Sequence, residues 1–516
     1  MLPRTRETTQ LLEEAVESDQ LTVTCPATGE IAGTLPLTST DDVAAIAARL
    51  RAAQPAWEAL GCGGRGRWLG KWRDWLLDHN VELLTLLQQE TGKAWGDAQL
   101  EGGVTPSINY WIDNAGKFLA DENIRPDGIA NAAKKLTVAY EPFPLVGMIF
   151  PWNVPLAMPV LDVVPALLAG AAVLTKPSEV TPLTWQRAVT GWKEIGAPDV
   201  LDIVIGFGDA GSAVIDVVDC VMFTGSVGTG RRVGVAAAER MIPCSLELGG
   251  KDAMIVCADA DVDRAVDGAL WGGYFNAGQA CVGVERLYVE EPVYDEFVEK
   301  LVAATAKLRV GMDGKHDYSS DVGAMATAQQ LAIVSRHVED AVSKGANVLI
   351  GGKTRDDGLF YEPTVLVDVD HSMVCMRDET FGPTLPVMKV RDLDEAIEKA
   401  NDTRFGLSGS IWTSDKAKAT TAAKRLNIGV VHVNSGLIGG LLPPIPMVPR
   451  NDSGVGSRHG GASGIRKYCR AKSIVEDRIA MKRELQWYPY TRRKGTIMSS
   501  MSRFLGAKDW RRRLGR

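Results

Sequence analysis

Apolar positions recur along this chain with two periods, and the switches between them outline its organisation. Over residues 25–60, "CPATGEIAGTLPLTSTDDVAAIAARLRAAQPAWEAL", a turn and short extended segments lead into a helix. Val43, Ile46, Ala47 and Leu50 fall at three- and four-residue spacing, and Thr40 or Asp41 can cap the first turn. A second helix is predicted from about Trp68 to Gln89, and a third over "SINYWIDNAGKFLADE". From Lys135 the rhythm shortens: "KLTVAYEPFPLVGMIF" is rich in strand formers and ends at Pro151. "PALLAGAAVLTKPSE" then reads as helix, glycine turn and buried strand, and "LDIVIGFG" and "DVVDCVMFTGS" as further short strands. Strands alternating with helices predict a parallel sheet with helical crossovers, an open α/β nucleotide-binding domain. The alternation resumes in "RLYVEEPVYDEFVEKLVAATAKL", "NVLIGG", "FYEPTVLVDV", "LPVMKV" and "VVHVNS". A second α/β domain is expected to begin near residue 248.

Composition narrows the class. With 516 residues, 45% hydrophobic and 23% charged, the chain is globular and long enough for two or three cores. No apolar run reaches the roughly 18 residues a membrane span requires. The first twenty residues lack the apolar core of a secretory signal, so a cytoplasmic protein is expected. Eight cysteines (Cys25, Cys62, Cys220, Cys244, Cys257, Cys281, Cys375 and Cys469) are scattered singly, with no C-x-x-C pair, which indicates neither a zinc site nor a disulfide framework. Most are expected to be small core residues, Cys220, Cys244 and Cys257 among them. The net charge of −7 conceals an asymmetry. Residues 481–516 hold eleven Lys/Arg (Lys482, Arg483, Arg492, Arg493, Lys494, Arg503, Lys508, Arg511, Arg512, Arg513, Arg516) against Glu484 and Asp509, a charge of +9 that leaves −16 on the rest. An acidic body argues against nucleic acid as the partner; a basic tail can meet phosphate or an anionic membrane.

Several segments carry candidate chemistry. In "FTGSVGTG" a strand runs through Gly225 and Ser226 to Gly230 and a helix, which offers N–H groups to a pyrophosphate; a plain turn reads equally well. "LTKPSE" puts Lys176 and Glu179 at the carboxyl edge of a strand, where a carboxylate can accept from both ribose hydroxyls and repels a 2′-phosphate; a solvated charge pair is the alternative. In "ELGGKDAMIV", Glu247 sits among apolar residues, a setting that raises a carboxyl pKa toward that of a general base; a structural carboxylate beside a glycine turn is the commoner reading of the segment alone. "FPWNVPLAMP" brackets Asn153 between Pro151 and Pro155, which hold its amide rigidly enough for an oxyanion donor or simply make a turn.

Taken in order, "FPWNVP", "TKPSE", "FTGS", "LELGGKD", "NAGQACVGVER" and "DETFGP" closely resemble the NAD(P)-dependent aldehyde dehydrogenase superfamily, over about residues 20–480. The resemblance implies an α/β fold with a Rossmann-type open parallel-sheet cofactor domain, an α/β catalytic domain and a small oligomerisation arm. The expected division is 1–125 and 144–247 for NAD binding and 248–446 for catalysis. Residues 126–143 and 447–480 would give the oligomerisation strands and the return of the catalytic domain, and 481–516 a basic amphipathic tail. It further implies Cys281 as nucleophile, Asn153 as oxyanion donor with the Cys281 N–H, and Glu247 as the base that hydrolyses the thioester. Lys176 and Glu179 would hold the adenine ribose, with NAD ahead of NADP as cofactor. Gly225, Ser226 and Gly230 would lie near the pyrophosphate, Trp152 in the cofactor cleft, Glu379 at the nicotinamide ribose and Phe381 beside it. A homodimer or homotetramer is implied, and no metal. A relative that passes the acyl group to coenzyme A, or one that keeps the fold without catalysis, is the rival reading; Glu247 speaks against the first, and intact Cys281, Glu247, Asn153 and Glu379 against the second.

Two departures bear on substrate. The usual aromatic-Gly-Gly core is replaced in "PMVPRNDSGVGSRHG" by Met447, Val448 and Pro449, followed by Arg450. Positions matching the substrate tunnel (Tyr110, Trp111, Val154, Ala157, Met158, Leu161, Ala280 and Val282) are apolar or aromatic, which predicts a bulky apolar aldehyde. "GVGSRHG" also resembles the actinobacterial succinic semialdehyde dehydrogenase branch, and Arg450 could then bind the carboxylate. The second departure is the tail, where Ile497, Met498, Met501, Phe504 and Leu505 predict an amphipathic helix for peripheral membrane contact or for packing on a subunit neighbour.

Overall fold

The computed structural model describes residues 19–127, 131–478 and 482–514, and the statements below concern these. The expectation of no N-terminal signal concerns a stretch largely outside them, and Arg516 of the basic tail lies outside them too. The chain divides into two compact units, one of residues 1–118 and 142–468, the other of 119–141 and 469–516.

In the larger unit the first long helix, Thr40–Ala59, opens at Ser39 rather than at Thr40 or Asp41. Ser39 is extended and its Oγ accepts the Asp42 N–H at 3.1 Å, so the cap falls one residue earlier than the acidic pair suggests. Val43, Ala47, Leu50 and Trp57 are buried on one face. The single helix expected from Trp68 to Gln89 is two, Gly61–Asp78 and Asn80–Thr91, broken at His79, whose ring stacks on Trp75 at 4.1 Å. Helices Trp95–Gly102 and Thr105–Phe118 follow.

Two sheets organise this unit. A six-stranded sheet runs in the order Gly454–Val455, Cys244–Glu247, Cys220–Thr224, Leu145–Ile149, Ala172–Lys176, Leu201–Ile203. All its pairings are parallel except the first, in which Gly454 pairs with Glu247. The run expected as one extended stretch from Lys135 to Phe150 splits between the units: Lys134–Pro142 pairs elsewhere and only Leu145–Ile149 enters this sheet. Helix Ala157–Ala169 is buried on every side, which a sequence apolar but for Asp162 permits, and Gly170 ends it in the left-handed conformation. The seven-stranded sheet runs Asn347–Ile350, Thr364–Val367, Thr384–Val390, Val284–Glu290, Asp252–Val256, Ser408–Trp412, Val430–Val433. It is parallel but for its first strand, and its core is built from Val, Ile, Leu and Met. The fold is α/β with open, mostly parallel sheets, as the alternation of elements predicts.

The smaller unit is a three-stranded sheet in the order Cys469–Asp477, Lys134–Pro142, Glu122–Ile124, with the helices Arg492–Gly506 and Trp510–Arg513. Lys135 pairs with Glu476 at 2.7 Å across its strands. Among the described residues no helix is long and apolar enough to cross a membrane. Cys220 and Cys257 are buried as expected, whereas Cys244, first residue of its strand, is only half-buried.

Candidate active site

The segment before Cys281 departs furthest from regular structure. Asn276 and Ala277 hold φ of 55° and 54°, and Gly278 holds 73°, so three consecutive residues are left-handed. Such backbone costs of order 1–3 kcal/mol per non-glycine residue and persists only when its surroundings enforce it. Here they do. Buried Asp97 accepts the Asn276 N–H at 2.9 Å, and Asn276 Nδ2 donates to the Asn153 and Gln279 carbonyls. Gln279 Nε2 donates to Ala324 O while its Oε1 accepts from Ala326 N at 2.9 Å. A side chain at Gly278 would collide with the Gly382 backbone.

Cys281 emerges from this loop half-buried, on the wall of a cavity of about 430 Å³. Asn153 lies in the same wall, with Nδ2 donating one hydrogen to Gln279 O at 2.9 Å and its second N–H still available. Tyr110, Val154, Ala157, Met158, Leu161, Ala280 and Val282 line the cavity as expected. Trp271, Phe275, Leu437 and Met447 add further apolar surface.

Two expected substrate residues are elsewhere. Trp111 is buried against Tyr110 and Phe118 and does not line the cavity; adjacent helix positions point about 100° apart, so its neighbour Tyr110 reaches the wall and it does not. Arg450 is exposed, its N–H bonded to Gly406 O at 3.0 Å and its Nη1 to Asn427 Oδ1 at 3.1 Å, which fixes it away from the cavity.

The cation in the wall is instead Arg458, 1% exposed. Its Nη2 donates to Asp162 at 2.9 Å and to Thr224 Oγ1 at 2.5 Å. Thr224 pairs in register with Glu247, so the guanidinium comes to rest beside that carboxylate. Burial pushes Asp162 up, but the charges of Arg458 and Lys467 outweigh it and hold the carboxyl below its ordinary range; Arg458 stays charged. A second buried carboxylate, Glu101, pairs with Lys93 and accepts the Leu156 and Ala157 N–H groups, anchoring the start of the helix that lines the cavity. Neither residue was anticipated from sequence. Asp162 stands out as a lone acid in an apolar helix, but its partner is 296 residues away.

Glu247 does not line the cavity. It is 1% exposed, with both carboxylate oxygens unbonded. Burial raises its pKa to about 7, against the opposing pull of Arg458 and Lys467. Burial likewise pushes the Cys281 thiol to about 12, again with Arg458 acting in the opposite sense. At neutral pH the nucleophile candidate is a thiol and the base candidate is poised near half-ionised.

Of the residues expected to hold a dinucleotide, Trp152, Lys176, Glu179, Gly225, Ser226 and Gly230 follow strands of the six-stranded sheet or end them, whereas Glu379 and Phe381 precede Thr384–Val390 of the seven-stranded one. Ser226 caps the helix Val227–Glu239 through the Thr229 N–H, Gly225 precedes it and Gly230, inside the first turns, donates its N–H to Ser226 O, so the Val227 and Gly228 N–H groups at the helix start are available to an anion. Lys176, buried at the end of its strand, bonds Pro177 O at 3.0 Å and Glu179 at 3.5 Å, and the Glu179 side chain is 42% exposed. Glu379 accepts the Gly250 N–H at 2.9 Å, and a side chain at Gly249 would run into its carboxyl. Burial, with Glu285 nearby, lifts Glu379 to about 8. Glu285, paired with Lys251 at 2.6 Å, accepts the N–H groups of Thr380 and Phe381 and so fixes this segment, while Phe381 packs edge-on to Trp152 at 5.4 Å. A helix N-terminus for pyrophosphate and a Lys/Glu pair for ribose hydroxyls fit a nicotinamide dinucleotide.

The family profile described as aldehyde dehydrogenase matches residues 14–474. This chain belongs to the aldehyde dehydrogenase family. It is an oxidoreductase acting on aldehydes with NAD or NADP. A Mycobacterium ulcerans protein named "Putative succinate-semialdehyde dehydrogenase [NADP(+)] 2" is 39% identical over 460 residues, 88% of each chain. A "4,4'-diapolycopene aldehyde oxidase" of Methylomonas sp is 37% identical over 471 residues, 90% of this chain and 87% of that one. Among solved structures, a "Putative Aldehyde Dehydrogenase PutA" from Anabaena variabilis superposes with a TM-score of 0.86 at 34% identity, covering 91% of this chain and all of that one.

Proposed function

We propose that this dehydrogenase oxidises a bulky apolar aldehyde to its carboxylic acid, with Cys281 as nucleophile. The cavity wall carries this reading: it is almost wholly apolar around Cys281, and its one arginine, Arg458, is already neutralised by Asp162. Cys281 gives up its thiol proton to solvent and the thiolate forms a C–S bond to the carbonyl carbon as the C=O π bond breaks, so the oxygen becomes an oxyanion received by the spare N–H of Asn153 Nδ2 and the Cys281 N–H. The cofactor, when bound, supplies the acceptor for the hydride. Oxidation of the adduct leaves a thioester on Sγ. Glu247 takes a proton from water, the resulting hydroxide attacks the thioester carbon, and the C–S bond breaks to return the thiolate. Because Glu247 stands behind the wall, its carboxylate works through rotation or an intervening water. Glu179 supports NAD as the cofactor, and the M. ulcerans name points the other way, to NADP. Residues 1–125 and 144–247 would form the cofactor domain and 248–446 the catalytic domain, with assembly as a dimer or tetramer through the oligomerisation strands.

A second reading has its own support. The succinate-semialdehyde names among the relatives favour a carboxylated substrate more than they favour an apolar one, although the Methylomonas name stands nearer the apolar side. That substrate would require a cation at the cavity, and only Arg458, released from Asp162, could serve among the residues lining it. The test is kcat/KM of the wild type for benzaldehyde-like, long aliphatic and succinic semialdehyde substrates, with and without coenzyme A. Preference for the apolar aldehydes is expected. Preference for succinic semialdehyde establishes the second reading, and turnover only with coenzyme A overturns hydrolysis.

A further inference from the structure

We propose that the C-terminal segment, Lys482 to Leu514, docks on an anionic lipid surface with one face of the helix Arg492–Gly506 in the interfacial layer. The proposal is independent of which aldehyde is oxidised. At 100° per residue, Ile497, Met498, Met501, Phe504 and Leu505 fall within a sector of about 120°. Each side chain is 39–47% exposed, and no residue of the helix is buried. The opposite sector holds Arg492, Gly495, Thr496, Ser499, Ser502 and Arg503, all polar or small, and Lys494 stands in the first turn of the apolar sector. An apolar stripe of this width standing in water calls for a cover.

Charge and aromatic content say what the cover is. Arg492, Arg493 and Lys494 open the helix, and Arg511, Arg512 and Arg513 follow it, so cations bracket the apolar stripe at both ends. Residues 481–516 carry +9 and the remaining chain −16. An anionic bilayer therefore attracts this segment and repels the body, which orients the encounter. Trp487, Tyr488, Tyr490 and Trp510 are 53–78% exposed, and rings with an apolar body and a polar tip settle at the headgroup level. The helix spans about 22 Å and its polar face is too hydrophilic for insertion, so it lies on the surface. A second copy as the cover would bring one +9 segment against another, and like charges repel.

The test is co-sedimentation of the full chain with vesicles of phosphatidylcholine alone and of phosphatidylcholine with phosphatidylglycerol. Wild type, Met501→Glu with Phe504→Glu, and Arg511→Gln with Arg512→Gln and Arg513→Gln are compared. Wild type is expected to sediment with the anionic vesicles only, less at high salt. Each arginine near such a surface is worth about fivefold, so the triple change weakens partition on the order of a hundredfold, and the acidic pair abolishes it. Sedimentation equilibrium without lipid should give all three proteins the same mass, with unchanged aldehyde turnover. Wild type left in solution with anionic vesicles, or variants that bind as well as wild type, overturns the proposal. A mass that falls in Met501→Glu with Phe504→Glu identifies a second copy as the cover and overturns it too.

Discussion

Glu247→Gln separates the two halves of the proposed reaction. Gln preserves shape and hydrogen-bonding capacity at a site where both carboxyl oxygens are buried and unbonded, so folding is little affected, but it cannot accept a proton from water. Attack by Cys281 does not call on Glu247 for the proton of water, whereas thioester hydrolysis does. The variant should therefore release about one NADH per site in a fast phase and then turn over 10²–10⁴-fold more slowly than wild type, the usual range for losing a general base. The wild type gives a second reading of the same group. With the carboxyl raised to about 7, its active, ionised fraction climbs from about a tenth at pH 6 to about half at pH 7 and about nine tenths at pH 8. Where hydrolysis limits turnover, kcat rises roughly tenfold across that interval, and Glu247→Gln abolishes the rise. Stopped-flow NADH fluorescence measures both. Steady-state turnover at the wild-type rate, or loss of the fast phase along with it, would refute the assignment of Glu247 to hydrolysis.

Two further outcomes follow from the buried charges and the ribose pair. Arg458→Met leaves Asp162 ionised and unpaired in the interior, which costs about 3–5 kcal/mol in urea unfolding followed by tryptophan fluorescence; Asp162→Leu with Arg458→Met should recover most of it, and a single variant as stable as wild type contradicts the pairing. Glu179 should make NAD the better cofactor by kcat/KM, with Glu179→Ser raising NADP use at least tenfold by removing repulsion of the 2′-phosphate. A wild-type preference for NADP removes that role from Glu179.

The alternation of strands and helices, and the order of the six motifs, were readable because each depends on residues close together in sequence. The left-handed run Asn276–Gly278 is foreshadowed by small and amide-bearing residues, and the cavity wall by the apolar run after Asn153. What escaped depends on partners far apart. Arg458 looked like part of a glycine-rich loop until Asp162 and Thr224 drew it into the wall, while Arg450, equally prominent in sequence, was claimed by Gly406 and Asn427 outside it. Trp111 shares a helix turn with Tyr110, and only the packing of Phe118 and its neighbours decides which ring meets the cavity. The raised carboxyl of Glu247 was legible in its apolar setting, but its station beside Arg458 rather than in the wall required the pairing of Thr224 with it.

The most direct test of the account is Cys281→Ala in the full chain, assayed for aldehyde-dependent NADH formation and, by intact mass, for an acyl adduct when Glu247→Gln is trapped with substrate. The account predicts that Cys281→Ala forms no NADH from any aldehyde while still binding NAD, and that Glu247→Gln gains one acyl group located on Cys281. Undiminished NADH formation by Cys281→Ala would contradict it.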